Sequence, residues 1–256
     1  MDYEQIAYEP AGPVAVIRMN RPDRRNAHTR RMGEELRDAT QCAEADAAIR
    51  AMVLSGAPPT FCSGADIDEL TDAAADSLST ANPAYFRSLS KPIIAAINGP
   101  AIGLGLILAI SCDIRFCSDT ARFAAAFARR GAAAEYGSAW LLPRIIGLTH
   151  ALDMLLSARV ISAIEAERMG LVSRVIPADR LLAEATAYAH QLATQVSPRS
   201  LAVIKRQVYA DLGGSLAESI ASAAREMREM IGTPDFIEGL AHFTENRPPN
   251  FTGSSL

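Results

Sequence analysis

The sequence predicts an α/β fold with a helical C-terminal region, and three observations support this prediction. In the first half of the chain, short apolar segments rich in β-branched residues alternate with segments of helical spacing. Such alternation is typical of crossover connections between parallel strands. From Leu148 onward, nearly every segment has helical spacing. We therefore expect an α/β core over residues 1–195, continued without a clear linker by a helical region over residues 196–256.

The individual elements follow from the spacing of apolar residues and from the turn residues between them. The predicted strands are Pro13–Met19, Ala51–Ser55, Pro92–Asn98 and Cys112–Cys117. The predicted helices are Thr29–Ala48, Ile102–Ser111, Leu148–Ser157, Ala163–Met169, Ala178–Val196, Pro198–Leu212, Ser215–Gly232 and Pro234–Asn246.

Composition excludes several classes of function. The 256 residues are 49% hydrophobic and 21% charged, with a net charge of −4, which is an ordinary globular balance. No basic face stands out, so we expect no nucleic-acid partner. The longest apolar stretch, Pro100–Ser111, is too short to span a bilayer, so we expect no membrane insertion.

Cysteine usage and the start of the chain bear on the compartment. The four cysteines form no C-x-x-C pair and show no zinc spacing, so we expect reduced thiols and no metal site. The first residues, Met1–Glu4, are acidic and lack the apolar run of a signal peptide. A cytoplasmic location fits these features.

Two loops are candidates for chemistry. Phe61–Ile67 follows the second predicted strand, and Asn98–Gly105 joins a buried strand to an apolar helix. Small residues at such junctions expose backbone N–H groups, and two N–H groups from separate loops can form an oxyanion hole that stabilises an enolate. Either loop taken alone is also explained as a tight turn that uses glycine for packing.

Six segments resemble motifs of one protein family. They are Asn20–Ala27 (N-R-P-x-x-x-N-A), Phe61–Asp66 (F-C-A-G-A-D in the family), Lys91–Ala101 (K-P-x-I-A-A-I-N-G-x-A), Cys112–Arg115 (C-D-I-R), Met169–Val172 (G-L-V turn) and Arg247–Phe251 (R-P-P-x-F). Their order and spacing agree over essentially the whole chain. The sequence therefore resembles the crotonase superfamily, which contains the enoyl-CoA hydratases and isomerases.

The resemblance implies a spiral of ββα repeats and trimers, often paired into hexamers, in which the C-terminal helices of residues 196–256 pack between subunits. It implies an acyl-CoA thioester as the ligand, with coenzyme A as part of the substrate and no further cofactor. The oxyanion donors would be the backbone N–H groups of Ala65 and Leu104, although the family usually has glycine at the second position. The implied substrate and coenzyme A contacts are Arg24, Arg25, Ala27, Ser63, Gly64, Asp66, Ile67, Gly103, Ile107 and Phe127.

The basic cluster in the first motif has two interpretations. Arg21, Arg24, Arg25, Arg30 and Arg31 are explained by composition alone as a solvated turn and helix start. The resemblance favours the second interpretation, in which Arg24 and Arg25 pair with coenzyme A phosphates.

The proton-transferring groups of a typical family hydratase are missing. That mechanism uses two glutamates, and the corresponding positions are occupied by Ile107 and Phe127, which cannot transfer protons. One acid, Glu135, stands where family isomerases place their working carboxylate, although Ala134 replaces the usual proline before it. Apolar neighbours would raise its pKa toward the working pH. The alternative is a structural salt bridge from Glu135 to Arg129 or Arg130.

Three functions therefore stay open. The first is double-bond isomerisation of an unsaturated acyl-CoA with Glu135 as base and acid. The second is an enzyme that needs no side-chain acid, such as a decarboxylase or an atypical hydratase that relies on the oxyanion hole. The third is a non-catalytic acyl-CoA-binding protein.

Four other residues receive structural explanations. We expect His28 to be a helix-start or surface residue, and Cys62 to be a buried inert thiol. Asp66 is expected to cap a helix, and Trp140 to pack in the core, with a place along the acyl tunnel as its alternative.

Overall fold

A computed structural model of the chain describes residues 2–72 and 82–253. The strands are β1 (Ile6–Ala11), β2 (Val14–Met19), β3 (Ala51–Gly56), β4 (Ile93–Ile97), β5 (Ala101–Ile102), β6 (Ile114–Ser118), β7 (Arg122–Ala124), β8 (Ile161–Ser162) and β9 (Arg174–Ile176). The helices are α1 (Arg30–Ala45), α2 (Ile67–Asp72), α3 (Leu104–Ser111), α4 (Ser138–Ser157), α5 (Ala163–Arg168), α6 (Leu181–Gln195), α7 (Pro198–Asp211), α8 (Leu216–Met230) and α9 (Pro234–Thr244).

Two sheets organise the described residues. The larger sheet has the strand order β1-β2-β3-β4-β6-β9, with β1 antiparallel to β2 and all other neighbours parallel. The smaller sheet has the order β5-β7-β8. Single parallel bridges, Cys62 with Ala101 and His28 with Ala65, extend this second layer. Successive turns of the chain thus contribute one strand to each layer, and the predicted spiral of ββα repeats is confirmed.

Both faces of the central strands β2, β3 and β4 are buried, which explains why these strands are largely apolar. On one face, Val53 and Ile94 belong to a core that α6 covers with small residues at every fourth position, among them Ala185 and Ala189. On the opposite face, alternate residues such as Leu54 belong to the main core under α1 and α3. The period of two along each strand assigns its residues to the two faces.

The four predicted strands and all eight predicted helices are present, and the differences in their bounds have local causes. The helix expected from Ile102 begins at Leu104, because Ala101–Ile102 pair with β7. The helix expected from Leu148 begins at Ser138 and is interrupted at Gly147, whose φ of 76° is not helical. β1, β7, β8 and β9 had no strong signal, because they are short or partly polar and depend on pairing with distant segments.

The structure corrects two expectations about single side chains. Trp140 is 41% exposed on α4, where the Arg144 guanidinium lies 3.9 Å from its ring centre, so this tryptophan is not part of the core. His28 lies directly before the N-cap of α1, as the helix-start alternative expects, but it is not a surface residue. It is only 4% exposed, because its backbone pairs with the loop around Ala65 and carries the ring inward.

Among the described helices, one has the length and composition of a membrane span, namely α4. Only 28% of its most apolar window is buried within the monomer. A single helix of this kind is weak evidence for a membrane, because helices of water-soluble proteins pass the same test.

Candidate active site

The two candidate loops run side by side. The N–H of Cys62 donates to the Pro100 carbonyl at 3.0 Å, and the N–H of Ile102 donates to the Cys62 carbonyl at 3.0 Å. These bonds pair Cys62 with Ala101 in parallel. Ala65 and Leu104 each lie three residues further along their own segment. The structure therefore brings together the two loops that carry the predicted oxyanion donors.

The N–H groups of Ala65 and Leu104 are not used by the fold. His28 pairs with the neighbours of Ala65: its N–H donates to Gly64 at 2.8 Å, and its carbonyl accepts from Asp66 at 2.8 Å. Because successive N–H groups of an extended segment point in opposite directions, the Ala65 N–H faces away from His28. Leu104 is the first residue of α3, where N–H groups have no intrahelical acceptor. Neither N–H has an acceptor within residues 2–72 and 82–253.

Glycine permits this close approach of the loops. A Cβ atom on Gly105 would lie 2.2 Å from the Cys62 carbonyl oxygen, so any larger residue would push α3 away from the loop. Gly64 has a φ of 107°, a conformation that residues with a side chain rarely adopt. The glycines of both motifs therefore act through packing as well as through exposure of backbone groups.

A cavity of about 850 Å³ opens beside the paired loops. Its lining contains seven of the predicted site residues, namely Arg24, Arg25, Ala27, Ser63, Ala65, Asp66 and Ile67, together with Pro59, Thr60, Asp68, Pro100, Ile102 and Arg130. The other predicted residues, Gly64, Gly103, Leu104, Ile107, Phe127 and Glu135, are not on this wall. We refer to this cavity as the cleft.

An ion pair joins the Asn20–Ala27 motif to the Phe61–Asp66 motif. The Arg21 guanidinium donates to the Asp66 carboxylate at 2.7 Å and to the Ala27 carbonyl at 2.6 Å. Burial alone would raise the pKa of Asp66, but the hydrogen bond and charge of Arg21 outweigh burial and lower this pKa. Asp66 also accepts from the N–H of Asp68 at 3.1 Å, so its predicted capping role at α2 is confirmed. Sequence reasoning missed the part played by Arg21.

The buried Asn26 holds the same turn in place. Its side-chain N–H groups donate to the carbonyls of Ala57 at 2.8 Å and Thr60 at 2.6 Å, and its carbonyl oxygen accepts from the N–H of Arg21 at 2.9 Å. The first motif is therefore bound to the loop that follows β3, which places Arg24 and Arg25 at the cleft.

The charges of the cleft are only partly paired. Arg24 donates to Asp68 at 2.8 Å, and Asp66 is paired with Arg21. Arg25 and Arg130 have no ion-pair partner in the described part of the chain. The cleft therefore presents positive charge that the fold does not neutralise.

The two positions at which the resemblance implies the hydratase glutamates, Ile107 and Phe127, lie in an apolar environment. Ile107 is 0% exposed and Phe127 is 6% exposed. Both belong to the core cluster that contains Leu104, and Ala65 packs against this cluster. The side of the paired loops that faces the core therefore carries apolar groups at both positions.

Along the chain, Glu135 lies between the 3₁₀ turn Ala128–Arg130 and the start of α4. Its side chain is half-buried. Burial raises the pKa of its carboxyl, and the positive charge of Arg130 partly offsets this rise. Within the residues that the structure describes, Glu135 forms no salt bridge with Arg129 or Arg130. The alternative prediction, a structural salt bridge from Glu135 to Arg129 or Arg130, is therefore wrong for the described residues.

Two other ionisable side chains near the loops are uncharged at neutral pH. Burial, with a contribution from Arg21, lowers the pKa of His28 to about 4, so its ring is neutral. Burial raises the pKa of the Cys62 thiol to about 12, which agrees with the predicted inert thiol. The described residues contain no group of three or more His, Cys, Asp or Glu side chains that could hold a metal ion.

A spiral of ββα repeats with two unused backbone N–H groups beside a cationic cleft defines a protein of the crotonase class. A family model described as enoyl-CoA hydratase/isomerase matches residues 9–254. The chain therefore belongs to the enoyl-CoA hydratase/isomerase family, which is a family of enzymes.

Relatives and solved structures agree with this assignment. The chain is 37% identical to a "Probable enoyl-CoA hydratase" of Rhodobacter capsulatus, over 99% of this chain and 100% of the relative. It is 36% identical to the "Probable enoyl-CoA hydratase echA8" of Mycobacterium bovis, over 98% and 99%. A probable enoyl-CoA hydratase/isomerase structure from Mycobacterium abscessus superimposes with a TM-score of 0.92 at 38% identity, covering 97% of this chain and 99% of that one.

Proposed function

We propose that the protein binds an acyl-CoA thioester in the cleft and stabilises its enolate with the backbone N–H groups of Ala65 and Leu104. Each N–H group lies three residues after a member of the Cys62–Ala101 pair, and neither has an acceptor in the described residues. Preorganised N–H donors of this kind stabilise negative charge on a thioester oxygen without reorganisation.

The positive charge of the cleft suits coenzyme A. Arg24 and Arg25 lie on the turn that lines it, and Arg25 has no ion-pair partner in the described part of the chain. Guanidinium groups bind phosphates through paired hydrogen bonds. Ala27 and the Ser63–Ile67 segment would then border the rest of the coenzyme.

The reaction that this site supports best is double-bond isomerisation of an enoyl-CoA. Glu135 carries the proposal: it is half-buried, has a raised pKa and is not held in a salt bridge by the described residues, whereas Ile107 and Phe127 are apolar. One carboxylate suffices to remove a proton from one carbon of the acyl chain and return it to another. The enolate formed in between would be held by the two N–H groups.

The test compares the wild-type protein with Glu135→Gln, using enoyl-CoA substrates of several chain lengths. We expect the substitution to lower the isomerisation rate at least about a hundredfold, as for loss of a general acid–base group, while the Kd for the acyl-CoA changes little. Equal isomerisation rates in the two proteins would exclude Glu135 as the proton shuttle. Assays of hydration on the same samples distinguish the atypical hydratase.

A second candidate function is acyl-CoA binding without turnover. The apolar side chains at positions 107 and 127 favour it, because they remove the groups that position water in family hydratases. Tight binding with no isomerisation, hydration or decarboxylation by either protein would select this candidate. Decarboxylation by both proteins would instead indicate an enzyme that needs no side-chain acid.

We also propose a homotrimer, or a hexamer of two trimers, in a reducing compartment such as the cytoplasm. Apolar side chains on α8 and α9 are exposed in the monomer, among them Leu216, Ile220 and Phe243. An apolar stripe on an amphipathic helix is stable only when another surface covers it. The four cysteines are free, which suits a reducing compartment.

A further inference from the structure

Arg130 reaches the cleft from a part of the chain that carries none of the family-like motifs. The 3₁₀ turn Ala128–Arg130 ends at Gly131, and the Arg130 N–H donates to the Phe127 carbonyl at 2.9 Å. Its side chain lines the cleft together with Ala65 and Ile102. One terminal nitrogen lies 3.9 Å from the place that a Cβ atom on Gly64 would occupy. The guanidinium therefore sits against the loop that carries the first oxyanion donor.

Arg130 and Arg25 reach this loop from different segments of the chain. The Ser63 N–H donates to the Arg25 carbonyl at 3.1 Å, so the turn that carries Arg25 borders one edge of the loop. The carbonyl of Ile102 borders the other edge, 3.0 Å from the Cβ position of Gly64, and Arg130 lies there too. The two arginines thus belong to two different segments of the cleft wall.

The charge of Arg130 is not compensated by direct contacts. The acidic residues on the cleft wall, Asp66 and Asp68, are paired with Arg21 and Arg24. Glu135 senses the charge of Arg130 but forms no salt bridge with it in the described residues. A guanidinium in this position can offer paired hydrogen bonds to a ligand that carries anionic oxygens.

We propose that Arg130 forms a second anion-binding position in the cleft, separate from the Arg24–Arg25 turn, and that it binds an anionic oxygen group of the acyl-CoA. This inference rests on the proposed function. Two parts of the ligand carry such oxygens: the phosphates of coenzyme A, and a carboxylate on the acyl chain of a dicarboxylic thioester. The second source would identify the substrate class as an acyl-CoA with a free carboxylate.

The experiment measures dissociation constants of three thioesters that differ in where they carry anionic oxygens. Butyryl-CoA has only the phosphates, glutaryl-CoA has the phosphates and an acyl carboxylate, and S-butyryl pantetheine has neither. Calorimetry serves for the CoA thioesters, and chemical-shift titration serves for the weaker pantetheine thioester. The proteins are wild type, Arg130→Met, Arg130→Lys and the control Arg129→Met. Arg129 is the neighbouring exposed arginine and does not line the cleft.

If Arg130 binds a phosphate of coenzyme A, Arg130→Met should weaken the binding of both CoA thioesters about 10- to 100-fold, as for loss of a charge-assisted hydrogen bond. The affinity for the pantetheine thioester should then be unchanged. If Arg130 binds an acyl carboxylate, the same loss of affinity should appear for glutaryl-CoA alone. In either case Arg130→Lys should retain part of the affinity, and Arg129→Met should bind like wild type.

Unchanged affinity of Arg130→Met for both CoA thioesters overturns the inference, and so does an equal loss for the pantetheine thioester, which has no anion to recognise. If wild type binds none of the three thioesters, the proposed function fails and this inference fails with it. If wild type binds and Arg130→Met binds equally well, only the inference about Arg130 fails. Thermal melting of each variant checks that the fold is retained.

Discussion

The pKa of Glu135 determines whether its single carboxyl group can act as both base and acid. Burial raises its pKa and Arg130 opposes the rise, so the two effects set the pH at which the carboxyl changes charge. Tyr136, the other ionisable group beside it, has a pKa raised to about 12 by burial and by Glu135, so it stays neutral at working pH. A group that must first accept and then donate a proton works best when its pKa lies near that pH.

Replacing Arg130 with methionine should raise the pKa of Glu135 further. The positive guanidinium favours the charged carboxylate, so its removal favours the protonated form. A pH titration of the free protein, followed through the ¹³C signal of the Glu135 carboxyl, measures the change directly. Arg129→Met is the control and should leave the titration midpoint where it is in wild type. A midpoint that Arg130→Met does not move would show that Arg130 exerts no electrostatic effect on Glu135.

Gly105 allows α3 to lie close to the loop that carries Ala65, because it has no Cβ atom. In Gly105→Ala, the new Cβ would lie 2.2 Å from the Cys62 carbonyl oxygen, which forces the backbone to shift. We expect a loss of about 1 to 3 kcal/mol in the free energy of unfolding, the usual cost of overpacking. Urea denaturation measures this change. Gly213→Ala is the matched control, because a Cβ there meets nothing within 4 Å; equal stability of the two variants would contradict the close packing.

At the scale of secondary-structure elements, the contact between α7 and the sheet depends on a small buried network. The ammonium group of Lys205 on α7 donates to the Asp113 carboxylate at 2.7 Å and to the carbonyls of Phe86 and Lys91. Tyr209, one turn further along α7, donates to the other oxygen of Asp113 at 2.7 Å. Asp113 lies just before β6, so these bonds join the helical region to the N-terminal end of an interior strand of the larger sheet.

Breaking this network should be costly because the charge of Asp113 would be left without its partner. The Lys205 and Asp113 side chains are only 8% and 13% exposed. We expect Lys205→Met to lower the free energy of unfolding by about 3 kcal/mol or more. The control is Arg206→Met, which removes an ion pair whose arginine is 63% exposed and should change stability by about 1 kcal/mol at most. Chemical denaturation of both variants tests the difference, and a similar small change in both would refute the role of the network.

At the scale of the whole molecule, the apolar surface of the last two helices is the main feature that the monomer leaves unexplained. No residue of α8 is buried, although Leu216, Ile220, Met227 and Ile231 follow helical spacing. On α9, Phe243 is 82% exposed. Association of copies of the chain would cover these side chains.

The proposed trimer or hexamer predicts that sedimentation or light scattering gives a particle of three or six chains rather than a monomer of 27.3 kDa. Ile220→Glu places a charge in the apolar stripe of α8 and should shift the wild-type assembly toward smaller species, because a charge is expensive to bury. Glu229→Gln, at an exposed polar position of the same helix, should leave the assembly unchanged. A wild-type protein that sediments as a monomer would rule out the proposed oligomer.

The sequence by itself determined the α/β class, the buried strands and the family, because apolar periodicity and turn residues act locally and the motifs are contiguous in the chain. It also showed the absence of acids at positions 107 and 127, which needs no structure to see. Site roles such as those of Ala65, Leu104 and Glu135 stay predictions, as does the division at residue 195.

Only the tertiary structure decided which segments meet. The pairing of Cys62 with Ala101, the ion pair between Arg21 and Asp66, and the place of Arg130 beside Gly64 join residues about 40 to 70 positions apart in the chain. The burial of His28 and the exposure of Trp140 were likewise set by packing partners that are distant in sequence. Local propensity carries no information about such partners, because burial, charge pairing and free N–H groups depend on which surfaces the fold places in contact.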